Sequence, residues 1–194
     1  MEIIFLILGI VLAGLTMKEP NSIKENIALK SLGIVGGLGS IYYVNPSYLK
    51  LNAQAIILGL AIGSIFLMLH LVIGKGIKLK RNDINKGLIK TCLLIYIIEL
   101  PAEEFIYRGM LFITLLNIMN PLVAIIITSL FFLVLHIKTW KNKFVWFGSL
   151  ILALVCSTLV YSIKSIWVAI IIHNLNDFGF LTLVNRRNIF TNTN

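Results

Sequence analysis

The 194-residue chain is 58% hydrophobic and only 13% charged, and its mean hydropathy is +0.94. Soluble domains carry roughly 45–50% apolar and about 25% charged residues, and a domain this small has too much surface to hide the difference. A soluble globule is excluded, and one integral membrane domain over residues 1–194 is expected. Lys and Arg number 17 against 8 Asp and Glu, a net charge of +9. These cations fall between apolar runs, so the lipid bilayer surface is the expected partner and nucleic acid is not. Cys92 and Cys156 sit in apolar segments with no Cys-x-x-Cys pair, which argues against a disulfide framework or a zinc ribbon.

Charge-poor stretches predict an all-α, polytopic membrane helix bundle of about seven to eight transmembrane helices. In chain order the expected crossings are 3–17, 31–49, 51–74, one within 91–119, 121–137, 144–163 and 165–185. Residue 2 is Glu, where a secretory signal peptide would begin with basic residues, so 3–17 reads as a first span. The second carries Gly33-x-x-x-Gly37 and the third Gly59-x-x-x-Gly63, a spacing that lets helix backbones approach closely. The fourth is expected to run as a helix from Pro101, because proline at the first position and two carboxylates in the first turn mark helix starts. With the N-terminus outside and the C-terminus in the cytosol, fourteen basic residues fall inside, among them Lys18, Lys24 and Lys30, against Lys50 and Lys164 outside. That asymmetry sets the expected orientation.

Half of the acidic residues stand where lipid should exclude them. Glu99, Glu103, Glu104 and Asp177 interrupt apolar spans, as do Arg108, His136 and His173. An ionised side chain near a helix centre costs on the order of 2.5–3.5 kcal/mol. Glu104 and Arg108 are four apart, the spacing and order of a helical ion pair. Glu103 lies about 100° around the helix and is left needing another span, water or a metal. His173 and Asp177 are also four apart and share a face, as Phe132 and His136 do. His70 has no motif around it and reads as an interfacial or packing residue. Pro101 leaves the register between Glu99 and Glu103 open. On the expected topology Glu103, His136 and Asp177 all fall toward the cytosolic half, where one cavity could hold them.

Glu103-Glu104-x-x-x-Arg108, then Phe132-x-x-x-His136, then His173-x-x-x-Asp177, in that order on three membrane helices, resembles the CPBP intramembrane proteases, also called the Abi family. These are the CAAX-processing and bacteriocin-processing enzymes. The likeness covers about residues 90–185, and residues 1–90 carry no motif. It implies a membrane endopeptidase with a cytosol-facing site in which Glu103 and His136 activate a water. It further implies that His173 and Asp177 polarise the scissile carbonyl or hold a metal, with Glu104, Arg108 and Phe132 structural. An ionised Asp cannot donate to an oxyanion, so Asp177 is expected to orient His173 by accepting its other N–H, or to ligate a metal. Glu103, His136, His173 and Asp177 are a chemically reasonable zinc set, although no His-Glu-x-x-His spacing supports one. No Ser or Cys nucleophile stands beside a His and an acid in these motifs, which leaves water as the attacker.

A peptide or protein substrate close to the membrane is therefore expected. Prenylated CAAX-type tails, bacteriocin leaders and quorum-sensing propeptides all suit such chemistry. Ile-, Asn- and Lys-rich usage points to a bacterial cytoplasmic membrane, and so to peptide maturation or self-immunity. Two other classes remain open: a non-enzymatic immunity or scaffold protein, and a small proton-coupled transporter, since buried acids and histidines also mark ion pathways.

Overall fold

A computed structural model describes residues 1–17 and 22–190; Lys18, counted above among the inner cations, lies outside the described residues. They form seven helical rods and no strand. We number them α1 (Glu2–Thr16), α2 (Ile23–Val44), α3 (Ala53–Ile73), α4 (86–115), α5 (Pro121–Thr139), α6 (Lys143–Ile163) and α7 (Trp167–Val184). Among the described residues, α2, α3, α5, α6 and α7 are long and apolar enough to cross a membrane, whereas α1 has 15 residues. The chain is an integral membrane protein.

Two expected boundaries are corrected. The second helix starts at Ile23, well before residue 31, because Ser22 caps it by accepting the Glu25 N–H. Lys24 and Lys30 therefore lie on the helix, and Lys30, read above as a loop charge, is only 7% exposed. Nor does a helix start at Pro101. Leu94, Leu100, Phe105 and Ile113 all have right-handed helical φ and ψ, so α4 runs unbroken through the proline. It does so by widening to π-helical turns at Leu94–Glu99 and Phe105–Phe112. Leu100 N–H bonds to Ile95 O, five residues back. By the same register, the N–H that Pro101 lacks would have bonded Tyr96 O. Asn174 Nδ2, from α7, donates to that carbonyl at 3.1 Å, so the proline leaves no orphan acceptor.

Both glycine pairs lie in helix contacts. A Cβ at Gly37 would stand 2.5 Å from the Cβ and carbonyl oxygen of Phe105, and one at Gly33 2.7 Å from Ile106 Cδ1. Here α2 lies directly on α4. Gly59 and Gly63 bring α3 nearly as close to α7, a Cβ there standing 3.0 Å from Ile171 and 2.8 Å from Leu175. At one end of the bundle Ile166 N–H bonds Tyr48 O, and Ser165 Oγ bonds Lys50 O at 2.7 Å. At the other, Lys78 and Leu79 N–H bond Leu183 O, and Arg186 stands 3.6 Å from Asp83. Lys50 and Lys164 mark the first end; among the described residues, Lys78, Lys138, Arg186 and Arg187 lie at the second.

Gly37→Val should lower stability by about 1–3 kcal/mol, because the backbone of Phe105 cannot withdraw. Gly39→Ala, whose Cβ would meet nothing within 4 Å, should leave the melting temperature in detergent unchanged or slightly raised.

Candidate active site

The helix contacts determine which side chains meet. On α4, Glu104 points into the protein and is fully buried, as are Arg108 one turn later and His173 on α7. Arg108 Nη1 donates to Glu104 Oε1 at 2.9 Å, and Nη2 reaches the carbonyl of Ala153 on α6 at 3.4 Å. His173 Nδ1 lies 2.7 Å from the same Oε1. A carboxylate only accepts, so Nδ1 carries a proton. The carboxylate that orients His173 is thus Glu104. Asp177 Oδ2 stands 3.9 Å from Nε2, and among the described residues Nε2 has no hydrogen-bond partner.

Phe132 is the hub of this packing. The Arg108 guanidinium carbon lies 4.6 Å from its ring centroid, close enough for a cation–π contact. The rings of His136, Tyr107 and His173 lie 4.5, 5.2 and 5.6 Å away. His136 Nδ1 donates to Phe132 O at 3.0 Å. A carbonyl cannot donate, so His136 Nδ1 carries a proton, and Nε2 is the acceptor of the neutral ring.

Glu103 faces the other way, toward α2. Lys30 Nζ donates to Glu103 Oε1 at 2.9 Å. One turn away, Asn26 Nδ2 donates to Glu99 Oε1. Asn26 and Lys30 are four apart on α2, as Glu99 and Glu103 are on α4, so the helices carry two matched rungs. Glu99 and Glu103 therefore share a face. Lys30, His173 and His136 are the groups that act on Glu103 electrostatically. The motifs give no sign of Lys30 or Asn26. The only signal was a lysine at i+4 from an asparagine on a helix, and the basic-loop pattern masks it.

Glu103, His136 and Asp177 line one cavity of about 630 Å³, together with Lys30, Asn26 and Glu99. His173 lies behind it. The walls are completed by Thr16 and Met17 of the α1 end, Lys138 and Trp140 at the α5 end and Arg187 beyond α7, so the cavity opens at the basic end of the bundle. His70, from α3, reaches the same region. Its Nε2 bonds Asn176 Oδ1 at 2.9 Å, and Asn176 Nδ2 donates to Asp177 Oδ1 at 2.6 Å.

Two imidazoles and two carboxylates are ligand types that zinc accepts. Among the described residues, no three His, Cys, Asp or Glu side chains group as a metal site. The cation beside Glu103 is an ammonium. What the arrangement can do directly is hold a water between a carboxylate and an imidazole nitrogen.

One comparison with known families finds a match: the model described as Type II CAAX prenyl endopeptidase Rce1-like matches residues 85–179. All three motif segments, from Glu103 to Asp177, lie inside it. No curated protein and no solved structure matches the chain.

Removing one partner of a buried ion pair strands the other. Glu104→Ala should therefore cost about 3–5 kcal/mol, and Arg108→Met a comparable amount, by thermal or denaturant unfolding in detergent.

Proposed function

From a chain whose residues 85–179 belong to the Rce1-like family of type II CAAX prenyl endopeptidases, we propose an intramembrane endopeptidase that cleaves a membrane-proximal peptide with a water activated by Glu103 and His136. The observation that supports it most is the meeting of Glu103, His136 and Asp177 in one cavity, with His173 and Glu104 immediately behind. Peptide hydrolysis needs a base that takes a proton from water and later returns one to the leaving amine. Glu103 supplies that base through the oxygen that Lys30 does not hold. His136 Nε2, its tautomer held by the Phe132 carbonyl, accepts the water's second hydrogen and so fixes its direction of attack. Glu104 holds the His173 ring still, and Arg108 balances the charge of Glu104.

The lipid-facing surface of the helices and the family both suit a substrate delivered from the bilayer. A prenylated C-terminal tail is the substrate class we propose for assay; bacteriocin leaders and other propeptides share the bond chemistry. We place the cavity mouth in the cytosol, because the basic loops surround it and Lys50 and Lys164 lie at the opposite end. No step requires a metal.

Glu103→Gln keeps the shape and removes the base. Cleavage of a farnesylated, internally quenched CAAX peptide by the reconstituted protein should fall about 10²–10⁴-fold with an unchanged melting temperature; normal cleavage would rule out the mechanism. Prolonged chelation should leave the rate within about twofold. Loss of activity restored by zinc would instead make Glu103, His136, His173 and Asp177 ligands. In intact cells, a cysteine at position 141 should react with a membrane-impermeant maleimide only after permeabilisation, and one at position 50 without it. The reverse pattern would invert the topology.

A further inference from the structure

Of the three histidines in the chain, His70 alone belongs to none of the motifs, and the mechanism above does not use it. It sits near the end of α3, outside the cavity lining. Its Nε2 nonetheless stands 2.9 Å from Asn176 Oδ1, and Asn176 Nδ2 donates to Asp177 Oδ1 at 2.6 Å. An amide oxygen only accepts, so His70 Nε2 carries a proton in this contact. Donors therefore run in one direction from α3 to the cavity, His70 to Asn176 and Asn176 to Asp177.

The helix by itself does not produce this arrangement. Consecutive residues on a helix point about 100° apart and do not face each other, so the Asn176 side chain is drawn round to reach its neighbour. Asp177 is also the last residue before α7 widens to π-helical turns. Its carbonyl there receives the Tyr96 hydroxyl at 3.2 Å, while its side chain depends on Asn176. What holds the amide is α3. A Cβ at Gly63 would stand 2.8 Å from Leu175, and one at Gly179 3.1 Å from the Leu67 backbone. Both contacts lie within one turn of Asn176. The Phe180 ring packs 5.2 Å from the His70 ring and 5.4 Å from Trp140, which lines the cavity.

We propose that His70 is a positioning residue of this site, which sets the direction of the Asp177 carboxyl group by fixing the Asn176 amide. With Oδ1 tied to Asn176, Oδ2 is the oxygen directed at His173, 3.9 Å from its Nε2. His70 acts through two other side chains and touches no reacting atom. The proposal rests on the endopeptidase reading above, and it gives α3, a helix without a motif, a part in the site.

Two substitutions separate hydrogen bonding from packing. His70→Phe keeps a ring on Phe180 and loses the donor, whereas His70→Gln keeps an N–H near the Nε2 position and loses the ring. In liposomes with the farnesylated peptide above, full-length His70→Phe should lower kcat about tenfold with KM changed less than about threefold, the low end of what loss of an orienting hydrogen bond costs. His70→Gln should recover most of that loss. Asn176→Ala should lower kcat about 10–100-fold, and adding His70→Phe to it should cost nothing more, because the amide through which His70 acts is gone. A histidine that only packs predicts the reverse order of Phe and Gln. That order overturns the proposal, as do additive losses in the double variant, with melting temperatures confirming that each variant is folded. The hydrogen bond is also read without turnover. In protein labelled with ¹⁵N-histidine, a proton-bearing His70 Nε2, assigned by its loss in His70→Gln, should shift in Asn176→Ala. An unprotonated Nε2, or one indifferent to Asn176→Ala, overturns the proposal even in a protein that cleaves nothing. Failure of the endopeptidase reading shows differently, as normal cleavage by Glu103→Gln with the His70 signal intact.

Discussion

Glu104 Oε1 receives both Arg108 Nη1 and His173 Nδ1, at 2.9 and 2.7 Å, in a place fully closed to water. The rest of the site depends on that shared oxygen. A carboxylate so buried would be strongly unfavourable alone, and the guanidinium and imidazole together offset the cost. In return, α4 and α7 are held in one register, His173 is tied to α4 through its Nδ1, and Arg108 is drawn under Phe132. Phe132 in turn faces His136. Four helices are thus connected through one ion pair and one ring, counting the α6 carbonyl that Arg108 reaches.

The second organising contact is steric. Glycines at 33 and 37 let α2 approach α4 until the backbones touch, and this close fit places Asn26 and Lys30 opposite Glu99 and Glu103. The α4 side of that contact is π-helical from Phe105 to Phe112. Such widening rotates side chains relative to an α-helix of the same sequence. Pro101 explains the preceding wide turn, and Asn174 repays the carbonyl it leaves. The residues around the carboxylates are therefore irregular for identifiable reasons, and α7 supports the irregularity directly.

Much of this was readable from residues. The excess of apolar side chains required a membrane, and the lysine distribution grouped the loops into two ends. The Glu104–Arg108 contact follows from a spacing of four on one helix, and the two glycine pairs from the demands of close packing. Other features were not readable, because they rest on contacts distant in sequence. Lys30 and Glu103 are 73 positions apart, and no local pattern marks a lysine that the fold buries. The proline misled for a related reason. In isolation it marks a helix start, and only the amide of Asn174, on another helix, allows the chain to continue through it. His70, which looked like packing, reaches Asp177 through Asn176 by the same kind of distant contact.

The sequence by itself determined the compartment, the all-helical class, the likeness to a family and the identity of the misplaced acids, because hydropathy and short-range spacing are properties of neighbouring residues. Tertiary structure alone decided the partners of those acids. Glu104 took His173, Glu103 took Lys30, and Asp177 was left to Asn176. The reason is electrostatic and geometric. In a medium that cannot solvate charge, each buried ion must find its counterpart wherever packing brings one within about 3 Å. That distance is set by how closely the glycine faces let the helices meet.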